Sequence, residues 1–266
     1  MGKTKDIIDT ESCIVRLVNK PIITAGDGEK KEQIVGKDVL ATTTTLNIFR
    51  LLEKCGVETH FLKQDSPSSF LAIKCQMIPI EVVIRRKIGE KSSFLKRYPK
   101  VQPGTILEDL EVEFFLKDDK RHDPIIVFNE NGWVWIIHDP KKPISLMEES
   151  FLGEIDRLCL PFEIEKMEET AKLVFSILEQ ALLILDITLE DLKIEFGHIQ
   201  MSTSQGEIIL ADVIDNDSWR ITKDGQDISK QGFRDGDDLK TVENVYKIVA
   251  ELSKQLPELA SKIKIE

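Results

Sequence analysis

Two carboxylates on either side of a turn are the first residues in this 266-residue chain whose types and spacing suggest chemistry. Glu195 lies in KIEFG and Asp212 in IILADV, two apolar runs of strand composition joined by Ser202-Thr203-Ser204-Gln205-Gly206. A turn centred near Thr203-Ser204 places Glu195 and Asp212 opposite each other on an antiparallel ladder. Like charges so placed destabilise a sheet, so something must offset them. A divalent cation does this simply: magnesium typically takes one or two carboxylates together with substrate phosphates. The competing arrangement leaves one carboxylate solvated on the outer face. Lys193 shares the face of Glu195 by the two-residue period of a strand, as a charge partner or a ligand contact.

A second concentration is cationic. Arg85, Arg86, Lys87, Lys91, Lys96 and Arg97 stand against one anion, Glu90, with the hydroxyls of Ser92 and Ser93 among them. Guanidinium forks suit phosphate, so the island reads as a small-anion site, with a solvated loop as the alternative. Two glycine turns offer backbone amides and ammonium groups to phosphates. They are Gly2-Lys3-Thr4-Lys5 and the ITAGDG run ending at Gly28, followed by Lys30 and Lys31. Neither has the spacing of a P-loop. Lys117-Asp118-Asp119, Asp215-Asn216-Asp217-Ser218 and Arg234-Asp235 gather further polar groups at strand or loop ends. The four histidines make no i,i+4 pair and the four cysteines no CxxC, which points to neither a zinc site nor a disulfide framework.

The elements that must carry these residues follow from periodicity. Strands are predicted over 13–18, 60–63, 70–74, 80–84, 110–116, 192–196 and 207–213. A helix over 37–55 is stopped by Gly56, although its run of four threonines is unfavourable to helix. The clearest helix spans about 165–185, where Met167, Ala171, Val174, Leu178, Leu182 and Leu185 recur at helical spacing. A last amphipathic helix begins at Leu239 and ends near Pro257. Strands and helices mix without a βαβ alternation, which argues for an α+β fold.

Composition bounds the partners. Hydrophobic residues make up 41% of the chain, enough for a sizeable core, and the net charge is −11. So acidic a chain repels nucleic acid and anionic membrane, and any anionic ligand needs a local basic cluster. No apolar run reaches about 18 residues, so neither a membrane span nor a membrane partner is expected. With no signal-peptide pattern at the start, a cytoplasmic location is expected.

In order along the chain, GKTK, ITAGDG, MIPIEVVIRR, SFLKR, FFLKDD with a following HDP, KIEFG and LADVIDNDSWR resemble the SAICAR synthetases of purine biosynthesis. KIEFG together with LADVIDNDSWR is the most specific part, and the wording of several motifs is most like the animal module that is fused to a carboxylase. The resemblance implies a two-lobed α+β fold with antiparallel sheets and an ATP cleft between lobes, divided here into 1–79 and 80–266. It implies an ATP-dependent ligase joining carboxyaminoimidazole ribonucleotide (CAIR) to L-aspartate, with ATP and Mg²⁺ as cofactors. Lys3, Lys5, Met77 and Lys117 would face nucleotide, and Glu195 and Asp212 would hold Mg²⁺. Arg85, Ser93, Arg97, Asp217 and Arg220 would serve the ribonucleotide. Asp27, Lys30, Lys193, Lys230 and Arg234 would surround the aspartate and the reacting carboxylate, with Asp27, Lys193 and Arg234 as the catalytic set. A homo-oligomer and an AIR carboxylase partner are further expectations. A non-catalytic nucleotide-binding relative, acting as an assembly module, is the alternative.

Overall fold

The alternating runs resolve into antiparallel sheets in the computed structural model, which describes residues 4–11, 13–26, 29–128, 134–145, 147–200 and 207–265. The chain opens with β1 (Lys5–Glu11), β2 (Ile14–Asn19), β3 (Ile22–Ala25), β4 (Lys30–Gln33), α1 (Lys37–Lys54), β5 (Phe61–Ser66) and β6 (Ser69–Ile73). There follow β7 (Cys75–Lys87), α2 (Phe94–Arg97), β8 (Ile106–Leu116), β9 (Ile125–Phe128), β10 (Val134–His138), α3 (Met147–Ser150) and β11 (Phe151–Asp156). The last part is α4 (Pro161–Leu183), β12 (Ile187–Ile199), β13 (Ile208–Ala211), β14 (Trp219–Lys223), β15 (Gln226–Asp227), α5 (Gln231–Asp235) and α6 (Leu239–Ser253). No helix among the described residues is long and apolar enough to cross a membrane.

The fold is α+β, as its patterning predicts. A four-stranded sheet has the order β1-β2-β6-β5, and β3 and β4 form a separate hairpin. A nine-stranded sheet runs β11-β10-β9-β8-β7-β12-β14-β15, with β13 also on β12. The chain crosses from the first sheet to the second at Lys74, and residues 79 and 80 lie inside the unbroken β7. β12 is the hub: β7 pairs along one edge, and β13 and β14 share the other.

Helix α4 lays Met167, Ala171, Val174, Leu178 and Leu182, all buried, against β12, β7 and β8. It starts earlier than its apolar stripe because Pro161 suits the first helical position and the Glu163 carboxylate accepts the Leu160 N–H at 2.6 Å. The threonines of α1 do not break it. Thr42, Thr43 and Thr44 donate their hydroxyls to carbonyls one turn back, and Thr45 donates to the Ile214 carbonyl at 3.1 Å. The last helix ends at Ser253, and a 3-10 segment continues over Leu256–Lys262. Strands β1, β3, β4, β9, β10, β11, β14 and β15 are additions to the predicted set.

Candidate active site

A cavity of about 910 Å³ opens between the two sheets. Lys5, Met77, Arg85, Ser93, Lys117, Lys193, Glu195, Asp212, Asp217, Arg220, Lys230 and Arg234 all line it, so twelve of the sixteen expected site residues converge. Lys3 and Asp27 lie outside the described residues, as does the turn after β12.

The floor is built by β12. Lys193 and Glu195 project from one face of it, and Glu81 of β7 stands directly across from Glu195. Lys193 answers both carboxylates, with Nζ 2.6 Å from Glu81 and 3.9 Å from Glu195. Lys117, just beyond β8, reaches Glu195 at 2.6 Å. The expected register is corrected by one residue: Glu195 faces Ala211, not Asp212. Asp212 follows the last paired residue of β13, in a left-handed backbone (φ 65°) that ends the strand. Both carboxylates still line the cavity, and Lys5 of β1 caps that of Asp212.

The electrostatics separate these groups. Burial, then the negative Asp212 beside it, pushes Glu195 up. Burial works on Asp212 in the same sense, but Lys5, with Lys117 and Lys193 behind, holds it below the usual carboxylate range. Burial disfavours the Lys193 ammonium, yet Glu81 and then Glu195 outweigh it and raise its pKa. His60, buried beside Asp212, is pushed down to about 4 by burial. Gly197 permits a close approach at the Met77 end of the floor: a Cβ there would meet the Cys75 Cβ at 2.8 Å.

At the other end a chain of ion pairs links Arg97, Glu113, Arg85, Asp191 and Arg220. Arg85 Nε lies 2.7 Å from Glu113, and its Nη1 lies 2.9 Å from Asp191, which also binds Arg220. Arg220 Nε is buried without a hydrogen-bond partner, an open donor beside the cavity. The basic island is not one anion site. Of its six cations only Arg85 lines the cavity. Arg86 pairs with Glu179, Lys87 with Glu190 and Lys91 with Asp235. Strand alternation turns Arg85 and Arg86 to opposite faces. Arg97 is likewise corrected: it is fully buried against Glu113 and the Ser93 and Pro140 carbonyls, behind the cavity wall. Lys30 is corrected too. It donates to the Phe233 carbonyl at 2.6 Å and covers the Phe233 ring, tying the β3–β4 hairpin to α5 outside the cavity lining.

A third group surrounds Asp217. Lys37 Nζ lies 3.5 Å from it and Lys230 Nζ 3.3 Å, and the Tyr246 hydroxyl donates to it. Burial opposes the Asp217 charge, but Lys37 and then Lys230 hold its carboxyl well below the usual range. Burial lowers Lys230. Sequence reasoning missed Lys37, which is 2% exposed at the first position of α1. A cation in a helix's first turn opposes the helix dipole, and that was a usable signal. Glu113, Asp191 and His60 were also missed, and no local pattern marks them.

The sequence profile of the SAICAR synthetase family matches residues 1–252. The chain belongs to the SAICAR synthetase family. Similar to it is the phosphoribosylaminoimidazole-succinocarboxamide synthase of Chloroflexus aurantiacus, 41% identical over 95% of this chain and 94% of that protein. The bifunctional purine synthesis protein purC/E of Dictyostelium discoideum is 42% identical over 84% of this chain, which covers 20% of that longer protein. Among solved structures, a type-2 SAICAR synthetase in complex with ADP superposes with a TM-score of 0.77 at 30% identity, covering 95% of this chain and 96% of that one. The cavity described above is thus the candidate active site of a SAICAR synthetase family enzyme.

Among the described residues no three His, Cys, Asp or Glu side chains gather as a metal cage. Glu195 and Asp212, with Lys5, Lys117 and Lys193 around them, are a different donor set. It fits Mg²⁺, which typically completes its octahedron with waters and substrate phosphates.

Proposed function

We propose that the chain joins the carboxylate of CAIR to the amine of L-aspartate at the expense of ATP, giving SAICAR, ADP and phosphate. The carrying observation is the cavity's division into a Glu195–Asp212 end ringed by Lys5, Lys117 and Lys193, and a cationic end holding Arg85, Arg220, Lys230 and Arg234. A family member of similar fold is in complex with ADP, which supports nucleotide binding by this chain.

On this reading Lys3, Lys5 and Lys117 hold the ATP phosphates and Met77 lines the adenine. Glu195 and Asp212 would hold Mg²⁺, which neutralises phosphate charge when bound. Arg85, Ser93 and Arg220 grip the ribonucleotide phosphate, with Asp217 nearby. Lys193, Lys230 and Arg234, with Asp27, serve the aspartate and the reacting carboxylate. Arg97 positions Arg85 through Glu113.

A carboxylate is a poor electrophile, so its oxygen first attacks the γ-phosphorus and displaces ADP. The aspartate amine then attacks the acyl carbon of the mixed anhydride and expels phosphate, and one proton is released overall. Such transfer needs in-line positioning and a field of fixed positive charge, which the protonated lysines of the floor supply. On this reading an AIR carboxylase that makes CAIR acts beside this enzyme in the cytoplasm; the bifunctional purC/E relative supports a second purine-synthesis activity at its side.

The test is ADP release in a coupled assay, with and without L-aspartate, at millimolar CAIR, ATP and MgCl₂. SAICAR should form only when all four are present. A folded sample that binds nucleotide and makes no SAICAR would leave the assembly-module reading in its place.

A further inference from the structure

We propose that His60 is a positioning residue for the Asp212 carboxylate, acting across the junction of the two sheets. The inference rests on the proposed role of Asp212 as a metal carboxylate.

His60 stands immediately before β5 and is 3% exposed. Three bonds fix it. Its main-chain N–H donates to the Leu210 carbonyl at 2.9 Å, and its own carbonyl accepts the Ile73 N–H at 2.7 Å. Its ring Nε2 lies 2.8 Å from the main-chain oxygen of Asp212. A carbonyl oxygen only accepts, so the ring presents Nε2–H to it. Phe49 and Phe70 meet the imidazole edge to face, with centroids 5.7 and 5.8 Å away, which sets the plane of the ring.

The partner of this bond is the unusual residue. Asp212 has a φ of 65°, in the left-handed region that is uncommon for non-glycine residues, although aspartate enters it more readily than most. The left-handed turn lets its carboxylate line the cavity with Glu195, although strand alternation after Ala211 would send it to the other face. Supports flank the turn on both sides. Thr59 bridges to Leu210 before it, and Thr45 of α1 donates to the Ile214 carbonyl after it. His60 alone among these bonds the Asp212 peptide itself. Removing its N–H while keeping the ring packing should leave the fold intact and the carboxylate poorly aimed.

The experiment measures ADP binding by calorimetry across a MgCl₂ series, for the wild type, His60→Phe and His60→Gln, with circular dichroism to show that each is folded. Phenylalanine keeps the aromatic contacts and removes the donor, whereas glutamine keeps an N–H. His60→Phe should need about tenfold more Mg²⁺ for half-maximal ADP binding, the scale of loss when a group supporting a metal ligand is removed. His60→Gln should stay within about threefold of the wild type, and ADP binding in EDTA should be the same for all three. An unchanged Mg²⁺ requirement in His60→Phe overturns the proposal. So does an equal loss in both variants, or a loss that persists in EDTA. A wild type whose ADP binding ignores Mg²⁺ overturns the metal reading of Glu195 and Asp212 itself.

Discussion

Lys193 shows how a single side chain's surroundings select its role. Glu81 and Glu195 favour its charged ammonium despite burial, which suits a fixed cation better than a base. Lys193→Met should therefore lower kcat by about 10²-fold or more with the fold retained. Lys193→Arg, permanently charged, should keep measurable activity; an arginine variant as inactive as the methionine one would argue for proton transfer instead. Asp217 gives a pH signature. Its folded pKa lies below the unfolded value of about 3.9. The stability it contributes is therefore present above that value and lost as pH falls through the lower folded one. Urea midpoints should fall from pH 5 toward pH 2 in the wild type and fall less steeply in Asp217→Asn. That variant should also be roughly 3–5 kcal/mol less stable near neutrality, because it strands Lys37 and Lys230. An unaltered acid slope would reject the assignment. At this scale the Glu195–Asp212 pair was legible because two acids interrupt apolar strands. Their register was not, since composition locates the centre of a turn only to within a residue. Arg97 and Lys30 were misplaced because their partners, Glu113 and Phe233, come from distant segments.

Among the elements, β12 carries the most consequence. It is paired on both edges, and its Gly197 lets the chain press close to Cys75 and Met77. Gly197→Ala should cost about 1–3 kcal/mol by overpacking, read as a lower urea midpoint. ADP affinity should fall with it, because the Met77 end of the cavity is displaced; a variant with wild-type affinity would remove Gly197 from the nucleotide's support. Helix α1 offers the converse lesson. Its threonines argue against helix by rotamer entropy, yet their hydroxyls find carbonyl partners, and Thr45 ties the helix to the segment that follows Asp212. Helices with a clear apolar stripe were legible. Of the added strands, β1 (KDIIDTE) and β4 (KKEQ) were hidden by polar residues, whereas β3 (IITA), β9 (IIVF) and β10 (VWIIH) have strand composition and were missed for their shortness.

For the molecule as a whole, the net charge is −11, whereas the cavity lining is balanced, with nine lysines and arginines against nine aspartates and glutamates. The fold class was legible from mixed periodicities, whereas the division into sheets was not: the transition lies at Lys74, and β7 is a continuous strand with no breaker at its start. The cavity takes Lys5 from the first sheet and Glu195 from the second, so a bound nucleotide would stabilise both sheets at once. The salt bridges of Lys5 with Asp212 and of Lys117 with Glu195 have one more consequence. The protein supplies its own counterions to both carboxylates. Chelators should leave its melting temperature unchanged, and MgCl₂ alone should barely raise it. Mg²⁺ with ADP at a hundredfold excess over Kd should add about 2.7 kcal/mol. A marked shift with MgCl₂ alone would contradict this, because Lys5 and Lys117 already neutralise the two carboxylates.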